Sequence, residues 1–467
     1  MSFLVCIGAL VFLMFVAYRG FSVILFAPIA ALGAVLLTEP SLVLPVYSGL
    51  FMERMVFFIQ NYFPVFLLGA LFGKVIEMSG FARSIVASVI QLVGRKRAVL
   101  SIVLVGVLLT YGGVSLFVVV FAVYPFAAEL FRQGNMPKRL IPGTIALGAF
   151  TLTMDSLPGT PQIQNVIPTT FFKTDIYAAP ILGTIGGLFI LVAGVSYLEW
   201  RLRQAERAGE GYGSGHTQEP DTDASAGAGS VNPVIAIMPL FVVGIMNLVF
   251  TKVVFPAYYA GATADVNLPG LAKPIAVAVK SQIGIWSVEA ALVLGILSVV
   301  LFSYKTIASK FAEGSKAAVA GSLLASVNTA TEYGFGSVIA ALPGFLIIRD
   351  ALQSIPNPLV NEAITVTTLA GVTGSASGGL GIALAAMSNQ FIAAANAAGI
   401  PLEVMHRVAS MASGGMDTLP HNGAVITLLA VTGLTHRQSY KDIFAITCIK
   451  TLAVFFVILV YYLTGIV

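Results

Sequence analysis

The sequence predicts an all-α polytopic membrane protein made of two inverted repeats of five transmembrane spans. Each repeat is expected to carry a re-entrant helical hairpin and a broken helix. Three observations predict it. Long apolar runs recur from end to end, basic residues cluster in short polar connections, and a set of glycine- and proline-containing motifs occurs twice. Of 467 residues, 57% are apolar and 10% charged, whereas a soluble domain carries about 25% charged residues.

The apolar runs 4–18, 23–38, 181–197, 234–250 and 451–463 are each, with their flanks, about long enough to cross a hydrocarbon core of roughly 30 Å. The start, Met1-Ser2-Phe3, has no basic region and no small-residue cleavage site, so the first run reads as a retained span. Arg19 follows that run, which places the N-terminus outside and the first loop inside. The clusters Arg95-Lys96-Arg97, Lys138-Arg139, Arg201 with Arg203 and Arg207, Lys305 with Lys310 and Lys316, and Arg437 with Lys441 all fit a cytoplasmic placement. The net charge of +4 is therefore a positive-inside pattern and not a nucleic-acid footprint. Cys6 and Cys448 both lie in apolar runs and give no disulfide framework, metal site or redox motif.

This placement gives crossings near 3–18, 21–38, 62–79, 139–172 and 177–198 in a first repeat, residues 1–200. A second repeat, residues 233–467, crosses near 233–251, 284–303, 318–346, 402–434 and 443–465. An odd number of crossings per half inverts the second half and puts both termini in the periplasm of a bacterial inner membrane. Residues 201–232, rich in Gly, Ser, Ala, Asp and Glu, read as a flexible cytoplasmic linker. The stretch 253–280 reads as a periplasmic loop.

The duplication is visible residue by residue. Met154-Asp155-Ser156-Leu157-Pro158 returns 262 positions later as Met416-Asp417-Thr418-Leu419-Pro420. Gly112-Gly113-Val114-Ser115 returns at the same spacing as Gly374-Ser375-Ala376-Ser377, and Gly73-Lys74-Val75-Ile76 returns, one residue further, as Gly336-Ser337-Val338-Ile339.

These motifs break helices at membrane depth. Residues 98–132 have basic residues at both ends and a Gly-Gly midpoint, as a hairpin that returns to its own side would. The crossing 139–172 is interrupted by Asp155-Ser156-Leu157-Pro158-Gly159-Thr160-Pro161, which cannot continue an α-helix. The second repeat has a hairpin at about 361–397, with its tip at Thr373 to Gly379, and a broken helix at 402–434 carrying Asp417 to Gly423. Unwound backbone in lipid costs several kcal/mol per unpaired group, so it persists where it lines a polar cavity or binds something.

Hairpin tips and broken helices meeting at the midplane make a binding site of the secondary-transporter kind. Half-helix N-termini offer amides and partial positive charge to a carboxylate. The four motifs hold no Lys or Arg, which favours a small organic anion of modest charge, a monocarboxylate, held by amides and hydroxyls. The expected substrate ligands are Gly112, Gly113, Ser115, Ser156, Gly159, Thr160, Gln162, Thr373, Ser375, Ser377, Gly378, Thr418, His421 and Asn422. The tip glycines, with Gly379, also serve the turn itself.

For ion coupling the candidates are Asp155, Asp417, Glu332 and His421, because ionisable groups at membrane depth are costly and commonly functional. The two aspartates are equally suited to capping freed amides, and Glu332 and His421 to a silent hydrogen bond. A hydroxyl in a membrane helix often bonds back to the preceding turn. Protons are the expected coupling ion, since Glu332 and His421 titrate, while sodium on unwound carbonyls is the alternative. No nucleophile, acid–base pair or metal-ligand spacing suggests an enzyme, no charged ring suggests a channel, and no cofactor is expected.

Gly73 to Gly80, the break from Met154 to Thr160, and Gly334-Phe335-Gly336-Ser337-Val338-Ile339 resemble the gluconate–proton symporter (GntP) family. That family belongs to a wider superfamily of dimeric, elevator-type carriers. The resemblance spans nearly the whole chain except the linker. It implies a homodimeric scaffold, a mobile domain holding hairpins and breaks, and proton-driven uptake of a hydroxy-carboxylate such as gluconate. Asn328-Thr329-Ala330-Thr331-Glu332-Tyr333-Gly334 resembles branches that handle short acids such as 3-hydroxybutyrate.

Overall fold

The computed structural model describes residues 2–19, 21–94, 97–216, 219–220, 231–259, 261, 263–347, 355–420 and 422–467. Arg95, Lys96, His421 and linker residues 221–230 lie outside the described residues.

The first half opens with α1 (Ser2–Tyr18) and α2 (Val23–Thr38), followed by a long helical segment, α3 (Pro40–Met78). A short helix α4 (Phe81–Val93), set off by Gly80 at φ 78°, was not anticipated from the apolar runs. Next come two arms, α5 (Ala98–Tyr111) and α6 (Leu116–Gln133), joined at Gly112 to Ser115. An interrupted helix, α7 (Ile141–Ala149), α8 (Leu152–Asp155) and α9 (Ile163–Phe172), precedes α10 (Pro180–Arg207).

The second half has α11 (Pro233–Tyr258), α12 (Val279–Ala308) and α13 (Phe311–Ala341). Its two arms are α14 (Pro358–Thr373) and α15 (Ala376–Ala398), joined at Gly374 and Ser375. The interrupted helix is α16 (Leu402–Gly414), a 3-10 turn over Gly415–Thr418, and α17 (Gly423–Thr432), and the chain ends in α18 (His436–Thr464). The described fold is helical apart from one antiparallel pair, β1 (Ala264–Val266) with β2 (Ile275–Val277), in the register Ala264↔Val277.

Several expected boundaries move, among them the start of the crossing expected near 62–79, which lies within α3 from Pro40. The connector expected from residue 201 begins as helix, because α10 runs to Arg207. Beyond it, Arg139 Nε bonds Glu210 Oε1 at 2.6 Å and Lys138 Nζ bonds Glu219 Oε1 at 2.7 Å, with Tyr212 buried beside them. Cations at the start of α7 need partners, and this end of the connector supplies them. The loop expected over 253–280 is likewise shorter, since α11 continues to Tyr258 and α12 starts at Val279, with the β pair between.

The helices pack as two groups. In one, α13 lies along α3 and α2, α2 pairs with α1, and α12 packs on α3 and α11. In the other, each pair of arms embraces its own interrupted helix: α5 and α6 on α7, α14 and α15 on α16, with α10 and α18 alongside. The groups meet chiefly where α15 lies on α13, with smaller contacts of α1 on α14 and of α9 on α12, and α4 touches helices of both. Among the described residues, six helical segments are long and apolar enough to span a membrane, namely α3, α10, α11, α12 from Gln282, α15 and α18. The molecule is an all-α polytopic membrane protein.

Candidate functional site

The first break is closed on itself. Helix α7 ends at Ala149, a single turn α8 follows, and regular structure resumes only at Ile163, after Pro158, Gly159 and Pro161. Gly159 takes φ 81°, open to glycine without strain. Several of the freed groups have protein partners. Gly159 N donates to Ile176 O at 2.9 Å, Tyr111 Oη to Pro158 O at 2.8 Å, and Thr160 Oγ1 to Thr153 O at 2.5 Å. Asn165 Nδ2 donates to Thr160 O and Ile176 O, and Gln162 Nε2 to Thr110 O, which ties the break to the α5 arm.

Two basic side chains absent from the motifs reach this break. Arg407 of α16 is wholly buried. Its Nη1 donates to Asp155 O at 2.7 Å and to Asn165 Oδ1 at 2.9 Å, and its Nη2 to Ala178 O at 2.8 Å. Lys450 of α18 lies 2.5 Å from Asp155 Oδ2, with Asp155 0% and Lys450 1% exposed. Ser156 Oγ donates to Asp155 Oδ1 at 2.7 Å. Neighbouring His406 spans Thr174 Oγ1 and Asn165 Oδ1. The carboxylate of Asp155 is thus held by a charge-assisted bond and caps no helix.

The second break has the same motif and different partners. Asp417 accepts from Gln164 Nε2 at 2.7 Å, from Asn422 Nδ2 at 3.3 Å and from Ala376 N, the first amide of α15, at 3.2 Å. It therefore caps a neighbouring helix, where its charge meets the positive end of the dipole. Asn422 also donates to Gly374 O and caps α17 through Ala424 N. Thr418 faces away, bonding Thr447 of α18 at 2.7 Å. Thr373 bonds back to Leu369 O and Ala370 O.

Glu332 of α13 projects at the tip of the α14–α15 arms and is 5% exposed. A Cβ on Gly378 would collide with its Oε2, so glycine is what lets the carboxyl lie against α15. Ser375 Oγ accepts from Gly378 N at 3.1 Å, and Ser377 Oγ lies 3.5 Å from Thr329 Oγ1. Among the described residues, Glu332 Oε2 and Gln164 Oε1 are buried acceptors with no donor. In a folded protein such groups call for explanation, and a bound ligand is one.

The structure thus brings Ser375, Ser377, Gly378, Asp417 and Asn422 together with Glu332. It holds Ser156, Gly159, Thr160 and Gln162 inside the closed first break. Gly112, Gly113 and Ser115 form the tip of the first arms, which lies against the first break: a Cβ on Gly112 would strike Leu240, and one on Gly113 would lie 3.3 Å from Leu292 and from Pro161 of the break. The tip of the first arms is packed on apolar side chains of α11 and α12. Sequence reading missed Lys450, Arg407, Gln164 and Glu362, the last wholly buried on α14 with neither carboxyl oxygen partnered. A lysine, an arginine and a glutamate inside apolar helices were the available signal.

A duplicated pair of arms and broken helices in a polytopic all-α membrane protein is the architecture of a transporter. The chain belongs to the same family as a Bacillus subtilis (strain 168) protein described as "Uncharacterized transporter YxjC", with which it is 60% identical over 474 residues covering 100% of both chains. It is a membrane transporter. Among solved structures, the Alcanivorax borkumensis YdaH transporter, described as having an unusual topology, aligns over 89% of this chain and 88% of its own, with TM-score 0.47 and 15% identity. No protein-family model matches the chain.

Proposed function

We propose that the chain is a proton-coupled symporter of a small hydroxy-monocarboxylate, of the gluconate–proton symporter type, in a bacterial inner membrane. The observation that carries this reading is the unpartnered Glu332 Oε2 at the tip of the second arms, beside Ser375, Ser377 and Asp417. An unpaired carboxylate in so dry a place is costly, and the same carboxyl holding a proton is not. Its charge therefore follows the loading of the site, which is what coupling requires. The neighbouring hydroxyls suit the hydroxyl and carboxylate oxygens of a short acid.

In this reading α1–α3 and α11–α13 form a scaffold that pairs with a second copy. Helices α5–α10 and α14–α18 form the mobile domain, the two repeats are inverted, both termini are periplasmic and the connector is cytoplasmic. The test is uptake of labelled 3-hydroxybutyrate and gluconate into proteoliposomes under a proton or a sodium gradient, with Glu332→Gln alongside. Proton-driven, sodium-indifferent uptake of one acid, abolished in E332Q at unchanged melting temperature, is expected. A sodium requirement, or full coupling in E332Q, overturns the coupling scheme. Folded protein that carries neither acid overturns the substrate class.

A further inference from the structure

The surroundings of Lys450 identify a site that the transport scheme above leaves unused. Its Nζ lies 2.5 Å from Asp155 Oδ2 and 3.3 Å from Phe150 O, the carbonyl just past the end of α7. Two other freed carbonyls of that helix end are taken: Leu147 O by Thr151 Oγ1 and Gly148 O by Thr153 Oγ1 at 3.4 Å. Gly414, the last residue of α16, abuts the same ion pair, since a Cβ there would collide with both Asp155 Oδ2 and Lys450 Nζ. The ammonium therefore sits where the carbonyl ends of two half-helices converge, next to a buried carboxylate, and it acts electrostatically on Asp417 as well.

Helix C-termini carry partial negative charge, and in transporters with broken helices such ends, with unwound carbonyls, coordinate monovalent cations. We propose that Lys450 is a tethered cation occupying that position, so that its removal opens a latent sodium site formed by Asp155, the Phe150 carbonyl and the end of α7. The duplication does not demand a lysine here. The position related to Lys450 by the 262-residue spacing is Leu188, an exposed residue of α10. The site owes its cation to α18 alone. This deepens the proposed function by giving a structural reason for sodium indifference, and it rests on that reading only for its consequence in transport.

The test needs no substrate. The melting temperature of purified protein is measured in detergent across a series of NaCl concentrations, with choline chloride holding ionic strength constant. Wild type is expected to show no sodium-specific shift. Lys450→Ala is expected to melt lower than wild type in choline and to rise saturably with sodium. D155N/K450M, which removes both charges, is expected to fold and not to respond. A sodium-specific shift in wild type that D155N abolishes would overturn the proposal, because the site would then be open with Lys450 present. K450A melting identically in sodium and choline, or failing to fold even in high NaCl while D155N/K450M folds, would overturn it equally. None of these outcomes depends on whether a hydroxy acid is the substrate.

Discussion

The first and second breaks carry nearly the same pentapeptide, yet the protein treats their aspartates in opposite ways. Asp155 is neutralised by an ammonium ion, and the loosened carbonyls of Pro158, Thr160 and Asp155 accept from Tyr111, Asn165 and Arg407. Asp417 is held by neutral donors, Gln164, Asn422 and a helix-end amide, and stands near Glu332 with its unpartnered oxygen. A shared motif thus sets where a helix opens, while residues outside it set whether the opening is sealed or left available. By the register that aligns Gly73 with Gly336, the counterpart of Glu332 is Gly69, so the carboxyl belongs to one break only.

The comparison is broken most easily through the two aspartates. Asp155→Asn strands a buried ammonium and should destabilise the protein by about 3–5 kcal/mol. Asp417→Asn keeps its shape and some of its hydrogen bonds, and should cost less than about 2 kcal/mol. Thermal melts of both in detergent check this, and equal losses would mean that the breaks are not electrostatically different. Next in size, Gly378→Ala places a methyl group against the Glu332 carboxyl. It should cost about 1–3 kcal/mol and depress uptake. Wild-type melting temperature and uptake in that variant would show that the carboxyl does not need its contact with α15.

The smallest effect concerns the connector. The Glu210 carboxyl is held below its ordinary value of 4.5 by the hydrogen bonds from Arg139, with their mutual charge attraction adding to this. A group depressed on folding adds stability above its unfolded pKa and loses it as pH falls through the folded value. Because the pair is partly exposed, Glu210→Gln should cost under about 1 kcal/mol at neutral pH and nothing in acid below the folded value. Melts at pH 7 and in acid measure the difference. A large effect would give the connector a structural weight that the exposed pair does not suggest.

How much of this was readable beforehand follows from the range of each interaction. The arms and breaks were readable because glycine and proline act on their own backbone. Gly113 and Gly374 take φ 93° and 68° at the two tips, and Pro158 and Pro161 stand between α8 and α9. What else the tip of the first arms packs on, Leu240 and Leu292 beside Pro161 of the break, is a matter of how α11 and α12 lie against it. The end of α10 was set too early, because polar composition alone does not end a helix. Lys450 went unnoticed because its partner is 295 residues away.

By itself, then, the sequence determined that the chain lives in a membrane, that it is duplicated, and where its helices open. Hydropathy and backbone chemistry are local, and they are written in consecutive residues. Only the tertiary structure decided which opening is sealed and which is left with unpartnered acceptors. That depends on which distant side chain, Lys450 or Gln164, is carried to each aspartate, and such distances exist only once the helices have packed.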